Sequence, residues 1–241
     1  DDFAIGDEIL CFSNNFDKFM VYQEDSLYTA EFWNVNQVKA GDNLIAYLDN
    51  SNLFKVFYYG SKELIDNIPP RSFKVSKNVV AYVSNLGDFI VWDKGDVHDI
   101  QYQAPMWYDC GEDFVAYIDQ MGAFSVYYNG ETAELLTYKP KGIQIKDNVM
   151  IYYDDFGALF AFYKGEVIRL SSFTPNKVSL DKDIVVYRDN YGYLKGMLNG
   201  KKTSFSKEIA IDFDLFNSTV VYRPDKVKWI VFNKGKYYNY P

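Results

Sequence analysis

Residues 147–165 read DNVMIYYDDFGALFAFYKG. The stretch holds a strand-like run ending on Tyr152-Tyr153, a tight turn at Asp154-Asp155-Phe156-Gly157, a second run, and a second turn at Lys164-Gly165. Its Tyr152 recurs at Tyr47, Tyr82, Tyr117, Tyr187 and Tyr222, with Phe12 in the first place, and every step is 35 residues. The second turn's glycine keeps that period at Gly60, Gly95, Gly130, Gly165, Gly200 and Gly235. Self-similarity at a fixed period identifies a repeat architecture before any other feature is weighed.

Working outward, each copy divides into four short strands, a to d. In the third copy, strand a is Phe73-Lys74-Val75, strand b spans 78–84, strand c 88–93 and strand d 96–102. β-branched and aromatic residues alternate along these runs, and turn residues sit at regular offsets between them. Some b strands, such as Val79-Val80-Ala81-Tyr82-Val83, are almost continuously apolar, which marks strands covered on both faces. Seven copies fit, near 1–35, 36–70, 71–105, 106–140, 141–175, 176–210 and 211–241. Four strands per unit with two apolar faces predict an all-β, seven-bladed β-propeller in a single domain. A solenoid is the competing architecture, but its end repeats are polar caps, whereas copies 1 and 7 are rich in aromatics. Copies 6 and 7 depart most from the pattern, with Lys195-Gly196 inside strand c and Arg223-Pro224-Asp225-Lys226 in place of the glycine-bearing b–c turn. Fraying is expected at the two ends.

Composition excludes several function classes. A net charge of −8 disfavours nucleic-acid partners, whose phosphates call for Lys/Arg surfaces, and attachment to anionic membranes. No apolar run approaches the roughly 20 residues that span a bilayer as a helix, so direct membrane insertion is not expected. The start DDFAIGDEIL lies in the repeat pattern and has no signal-peptide character, as in a processed mature chain or in one trimmed at its start. Cys11 and Cys110 occupy positions filled by Ala, Val or Ile in other copies, so they read as small core residues rather than a disulfide or a metal pair.

The units -VVAYVSNLGDFIVWDKG- and -FVAYIDQMGAFSVYYNG- resemble the TolB-like, WD40-like propeller repeats of exported bacterial proteins. The resemblance covers the whole chain and is a fold signature without catalytic residues. The short blades and the Tyr/Asn-rich composition are also similar to periplasmic propellers of Bacteroidetes, among them the plug-type propellers of the type IX secretion translocon. That resemblance implies a periplasmic or otherwise exported location and an outer-membrane translocon barrel as the protein partner.

Chemistry-bearing groups are few. The lone His98 excludes histidine-rich metal sites and makes hydrolytic triads improbable; on strand d it reads as a solvated edge residue, with a pH-sensitive contact as the alternative. Asp154-Asp155 has the look of a glycosidase pair, but position 154 is matched by Asp49, Asp119 and Asp189. A role repeated in successive blades is turn chemistry, an Asp binding backbone amides ahead of Gly. No cofactor, metal or catalytic residue is therefore assigned. The middles of the a strands, Ala4, Lys39, Lys74, Asp109, Gln144, Ser179 and Asp214, are expected to line a polar channel, as plain wall or as a small-ligand site.

The strongest cue lies in the b–c turns. The residue before the turn glycine is Leu86, Met121, Phe156 or Tyr191, with Phe16 at the same place in the first copy, while Ser51 and Lys226 break the series. Turn tips are usually polar. Chain direction puts the d–a connections on the same side, carrying Phe32, Trp33, Trp107, Tyr138 and Phe173. Two roles compete for these tips: binding a protein partner, or tucking under the neighbouring d–a loop as packing. Trp33 and Trp107 are expected to be more exposed than the tips. The functional expectation is a non-catalytic protein-binding propeller that uses Phe16, Trp33, Leu86, Trp107, Met121, Phe156 and Tyr191. The alternative is a lectin-like or glycan-active propeller that uses tyrosines as sugar platforms.

Overall fold

The 35-residue period becomes one four-stranded antiparallel sheet per copy, seven in all, in the computed structural model, which describes residues 3–240. This is the expected all-β, seven-bladed propeller class. The chain divides into two units, residues 1–139 with four blades and 140–241 with three.

In the first unit, blade 1 comprises β1 (Phe3–Ile5), β2 (Ile9–Ser13), β3 (Phe19–Gln23) and β4 (Ser26–Glu31). Blade 2 comprises β5 (Gln37–Ala40), β6 (Leu44–Leu48), β7 (Phe54–Tyr58) and β8 (Ser61–Asp66). Blade 3 follows with β9 (Ser72–Val75), β10 (Val79–Val83), β11 (Phe89–Asp93) and β12 (Asp96–Gln101). Blade 4 has β13 (Trp107–Cys110), β14 (Phe114–Ile118), β15 (Phe124–Tyr128) and β16 (Glu131–Leu136).

Within a blade the strands pair in sequence order, so every connection is a hairpin. The c–d hairpins turn on two left-handed residues, such as Lys94-Gly95 and Asn129-Gly130, the type I′ geometry that matches strand twist. This explains the periodic glycine. At the start of the four c–d pairings of this unit the register shifts, as at Phe54/Lys55 and Phe89/Ile90. That repeated bulge adds one residue to strand d, and alternation alone did not reveal it.

The core of this unit lies between blades. Leu44, Ala46, Phe54 and Val56 of blade 2 pack on Phe73, Val80, Tyr82 and Trp92 of blade 3. Val79, Ala81, Phe89 and Val91 of blade 3 pack in the same way on Val115, Tyr117 and Tyr127 of blade 4. A fully buried ring such as Phe54 contributes about 2–3 kcal/mol from area alone. The small residue in mid-strand b is what lets the next blade's tyrosine approach. The a–b turns bring the blades closer still: a Cβ on Gly41 would lie 1.8 Å from the carbonyl oxygen of Ser76. A polar ladder one period apart ties the same turns together, with Asn43 Nδ2 donating to Asn78 Oδ1 (3.3 Å) and Asn78 Nδ2 to Asp113 Oδ1 (2.6 Å).

The second unit repeats the scheme. Blade 5 is β17 (Gly142–Lys146), β18 (Val149–Tyr153), β19 (Leu159–Tyr163) and β20 (Glu166–Ser171). Blade 6 is β21 (Val178–Asp181), β22 (Ile184–Arg188), β23 (Leu194–Leu198) and β24 (Lys201–Ser204), the glycine in β23 sitting against the carbonyl of Val185. Blade 7 is β25 (Asp212–Phe216), β26 (Thr219–Arg223), β27 (Trp229–Asn233) and β28 (Lys236–Tyr240). Its central pairing is thin, with three residue pairs between β26 and β27 against five between β10 and β11.

Candidate functional site

The b–c turns are built around one side chain each. In blade 4, Asp119 Oδ1 accepts from the backbone N–H of Met121 (2.8 Å) and of Ala123 (2.9 Å). Asp154 does the same for Phe156 and Ala158, and Asp189 for Tyr191 and Tyr193. Asn14 holds Phe16 and Lys18, and Asp49 holds Ser51 and Leu53. In blade 3 the serine hydroxyl of Ser84 takes over, bound by Gly87 and Asp88. These are Asx- and Ser-turns: the polar side chain closes the loop from inside and leaves the residue two places on pointing outward. The repeated carboxylates thus have a turn role.

The tips therefore project. Phe16, Leu86, Met121, Phe156 and Tyr191 are 78–90% exposed. Packing under the neighbouring loop does not occur. Trp33 and Phe32 are also exposed, though less than the tips. Trp107 is a correction: it is half-buried, because it is the first residue of β13, paired with Ile118, rather than part of the d–a connection. Tyr138 and Phe173 are half-buried as well.

Two exposed residues lay outside the sequence expectation. Blade 7 has an apolar tip after all. Its turn slips by one place, so Asp225 Oδ1 accepts from the N–H of Val227 (2.8 Å), and Val227, 74% exposed, stands out beside the exposed Lys226. The signal was an Asp two places before an apolar residue, hidden because the fixed period pointed one position early. Tyr102, at the end of blade 3, is among the most exposed aromatics of the described residues. With Leu86, Gln103, Gln120 and Arg71 it lines a hollow of about 420 Å³. In the second unit Tyr191 borders a hollow of about 480 Å³ with Ile209, Ile211, Asn176 and Arg188.

The strand-a positions are a set of ion pairs and carbonyl contacts. Lys39 donates to the carbonyl of Phe73 (2.6 Å) and lies over its ring, while burial and the charge of Lys74 hold the Lys39 ammonium below its ordinary range. Lys74 pairs with Asp109 at 3.0 Å. In the second unit Gln144 is exposed, Ser179 half-buried, and Asp214 pairs with Lys177 at 3.2 Å.

Other reactive groups are quiet. Both cysteines are unpaired, and burial pushes the Cys11 thiol up to about 11 and the Cys110 thiol up to about 12. Neither is a thiolate at neutral pH. His98 is half-buried on β12 with its ring 5.4 Å from that of Tyr127. Among the described residues no three His, Cys, Asp or Glu side chains converge to hold a metal, and no helix is long and apolar enough to cross a membrane.

The sequence matches, over residues 1–238, the family described as a 10-bladed beta propeller domain. No curated protein matches it. Among solved structures it is similar to the computationally designed Ika8 protein, at 16% identity and TM-score 0.37, covering 99% of this chain and 85% of that one. It is also similar to the CRINKLY WD40 ectodomain of the Arabidopsis thaliana receptor kinase ACR4, at 10% identity and TM-score 0.46, covering 86% and 82%. A third likeness is to PorZ, a surface component of the type-IX secretion system of Porphyromonas gingivalis, at 8% identity and TM-score 0.35, covering 98% of this chain and 37% of PorZ.

Proposed function

The chain belongs to the family of ten-bladed β-propeller domains, a blade count that differs from the seven-bladed relatives expected from its repeats, and from that premise we propose that it is a non-catalytic protein-binding module that engages its partner through the b–c tips. One observation carries this reading: six of the seven turns among the described residues hold an apolar side chain out in solvent. An exposed Met or Phe gives nothing to folding where it stands. Pinned by an Asx turn, it loses little further freedom on binding, which lowers the entropic cost of association. Apolar anchors of this kind dominate interface energetics, and truncating one costs about 1–4 kcal/mol of binding.

The finer reading is an exported protein whose partner is an outer-membrane translocon barrel, occluded at its periplasmic mouth. It is supported by the resemblance of the repeats to those of exported bacterial propellers. The test is affinity purification from membranes of the source cells with two variant sets. One carries Phe16→Ser, Leu86→Ser and Met121→Ser in the first unit; the other carries Phe156→Ser, Tyr191→Ser and Val227→Ser in the second. At least one set is expected to lose the co-purifying protein while the urea midpoint stays in place. Full retention by both sets refutes the tip assignment, and a retained partner that is not a membrane barrel refutes the finer reading alone.

A second reading, glycan binding, draws on the hollow beside Tyr102, where an exposed ring stands next to the amides of Gln103 and Gln120. Specific binding on a glycan array that Tyr102→Ser abolishes and the tip sets leave intact favours it over protein binding.

A further inference from the structure

Every interface between neighbouring blades in the first unit is made from the same two faces. The giving face carries a small residue in mid-strand b and a phenylalanine at the start of strand c: Cys11 and Phe19, Ala46 and Phe54, Ala81 and Phe89. The receiving face of the next blade carries a tyrosine on strand b and a large ring on strand c: Tyr47 and Phe57, Tyr82 and Trp92, Tyr117 and Tyr127. One ring contact recurs at each interface, Phe19–Tyr47 at 5.2 Å, Phe54–Tyr82 at 5.3 Å and Phe89–Tyr117 at 5.4 Å.

Blade 1 has a receiving face of its own. Leu10, Phe12 and Tyr22 stand where Ile45, Tyr47 and Phe57 stand in blade 2, and Phe3 and Ile5 occupy the matching places on strand a. Its chemistry is that of an interior surface. Yet Phe3 is 58%, Ile5 64% and Tyr22 43% exposed, where Phe57, Trp92 and Tyr127 are at most 2% exposed. A contiguous apolar face of this kind calls for a cover.

We propose that this face docks a further blade of the same 35-residue repeat, one of the blades by which a ten-bladed family exceeds the seven present here. The three interfaces formed within the first unit define the occupant: an Ala- or Cys-sized residue set against Phe12 and a phenylalanine at the start of its third strand. A second copy of the chain does not offer this. The corresponding face of blade 7 has Thr219 in place of an aliphatic residue, and Trp229 in place of the phenylalanine, with the Arg223 guanidinium over its ring at 5.0 Å.

Hydroxyl-radical footprinting with amide exchange tests the proposal on the whole chain and on the chain extended at its N-terminus by a copy of its own third blade, residues 71–105. That extension keeps the 35-residue period across the junction. In the chain alone, Tyr22 and Phe3 are expected to label like exposed rings at every protein concentration. In the extended chain, labelling of Tyr22 is expected to fall by roughly tenfold, in line with the contrast between 43% exposure here and 2% at Phe57. Exchange in β1 and β2 is expected to slow with it. Carrying Ala81→Lys in the added copy is expected to abolish the protection while the rest of the chain keeps its pattern. The proposal is overturned if Tyr22 is already protected in the unextended chain, if its protection rises with concentration (which assigns the face to a second copy), if the added blade stays disordered, or if Ala81→Lys changes nothing.

Discussion

Asp154 and Phe156 stand two residues apart in one turn and do opposite work. The carboxylate of Asp154 accepts two backbone amides, and Phe156 touches solvent. Asp154→Ala should therefore cost about 1–2 kcal/mol in urea unfolding, two charge-assisted bonds partly replaced by water, whereas Phe156→Ser should stay within about 0.5 kcal/mol of the parent. An equal loss from both would mean that the tip is packed. The carboxylate's role was legible from its recurrence every 35 residues. The tip's direction was not, since the same letters fit an outward or a tucked ring, and only the Asx bonds decide. Trp107 was misplaced because strand starts are set by pairing register, here with Ile118, which composition does not encode. A half-buried charge cluster offers a second test. Glu31 accepts from Lys55 (2.9 Å), Tyr47 (3.0 Å) and Lys62, while Lys55 also pairs with Asp49 at 2.6 Å. Burial by itself raises the pKa values of Glu31 and Asp49, but the bonds from Lys55 and its neighbours outweigh it and hold both below their ordinary range. Groups with depressed folded pKa values stabilise the protein above the unfolded carboxylate range and lose that contribution as pH falls through the folded values. Lys55→Met should thus cost about 2–4 kcal/mol at neutral pH, a penalty that shrinks below about pH 4. Urea midpoints at the two pH values check this, and a gap that does not change with pH contradicts it.

At the scale of the element, strand positions were legible to within one or two residues because apolar alternation and turn residues agree, as in β10 and β11. Two features of the blades were not. The bulge at the start of the c–d pairing in blades 1 to 5 adds a residue without disturbing the 35-residue count, and the closeness of the a–b turns shows only when two blades are seen together. Gly41 and Gly122 separate the reasons for glycine. Gly41 has ordinary backbone angles, but a Cβ there would lie 1.8 Å from a carbonyl oxygen of the next blade. Gly122 has φ +92° and open space around it. Gly122→Ala should cost about 1–2 kcal/mol of backbone strain. Gly41→Ala must instead part blades 2 and 3 along the Phe54–Tyr82 contact, and should cost more, with faster amide exchange in both β6 and β10. Confinement of the effect to the a–b turn itself would show that the blades yield independently.

At the scale of the whole molecule, the period reveals how many blades this chain supplies, and the family shows a different total. The reason is physical: a 35-residue repeat specifies one sheet and the two faces it offers its neighbours, but it contains no signal that counts the blades assembled. Stability in such a chain is a sum of blade terms and nearest-neighbour terms. Blade 3 has a covered partner on each side, through the clusters around Phe54 and Phe89. Blade 7 packs on blade 6 through the cluster around Phe213 and Tyr222. It also has the slipped turn at Asp225 and only three pairs between β26 and β27. Local opening follows the local sum, so amide exchange should be slowest in β10 and β14 and fastest in β27 and β28, with opening free energies well short of the global value in blade 7. Restoring an aliphatic residue by Thr219→Val should slow exchange in β26 by strengthening the blade from within, while leaving β10 unchanged. If instead β10 and β26 exchange alike in the parent and respond together to Thr219→Val, the blades unfold as a single cooperative body, and the nearest-neighbour account fails.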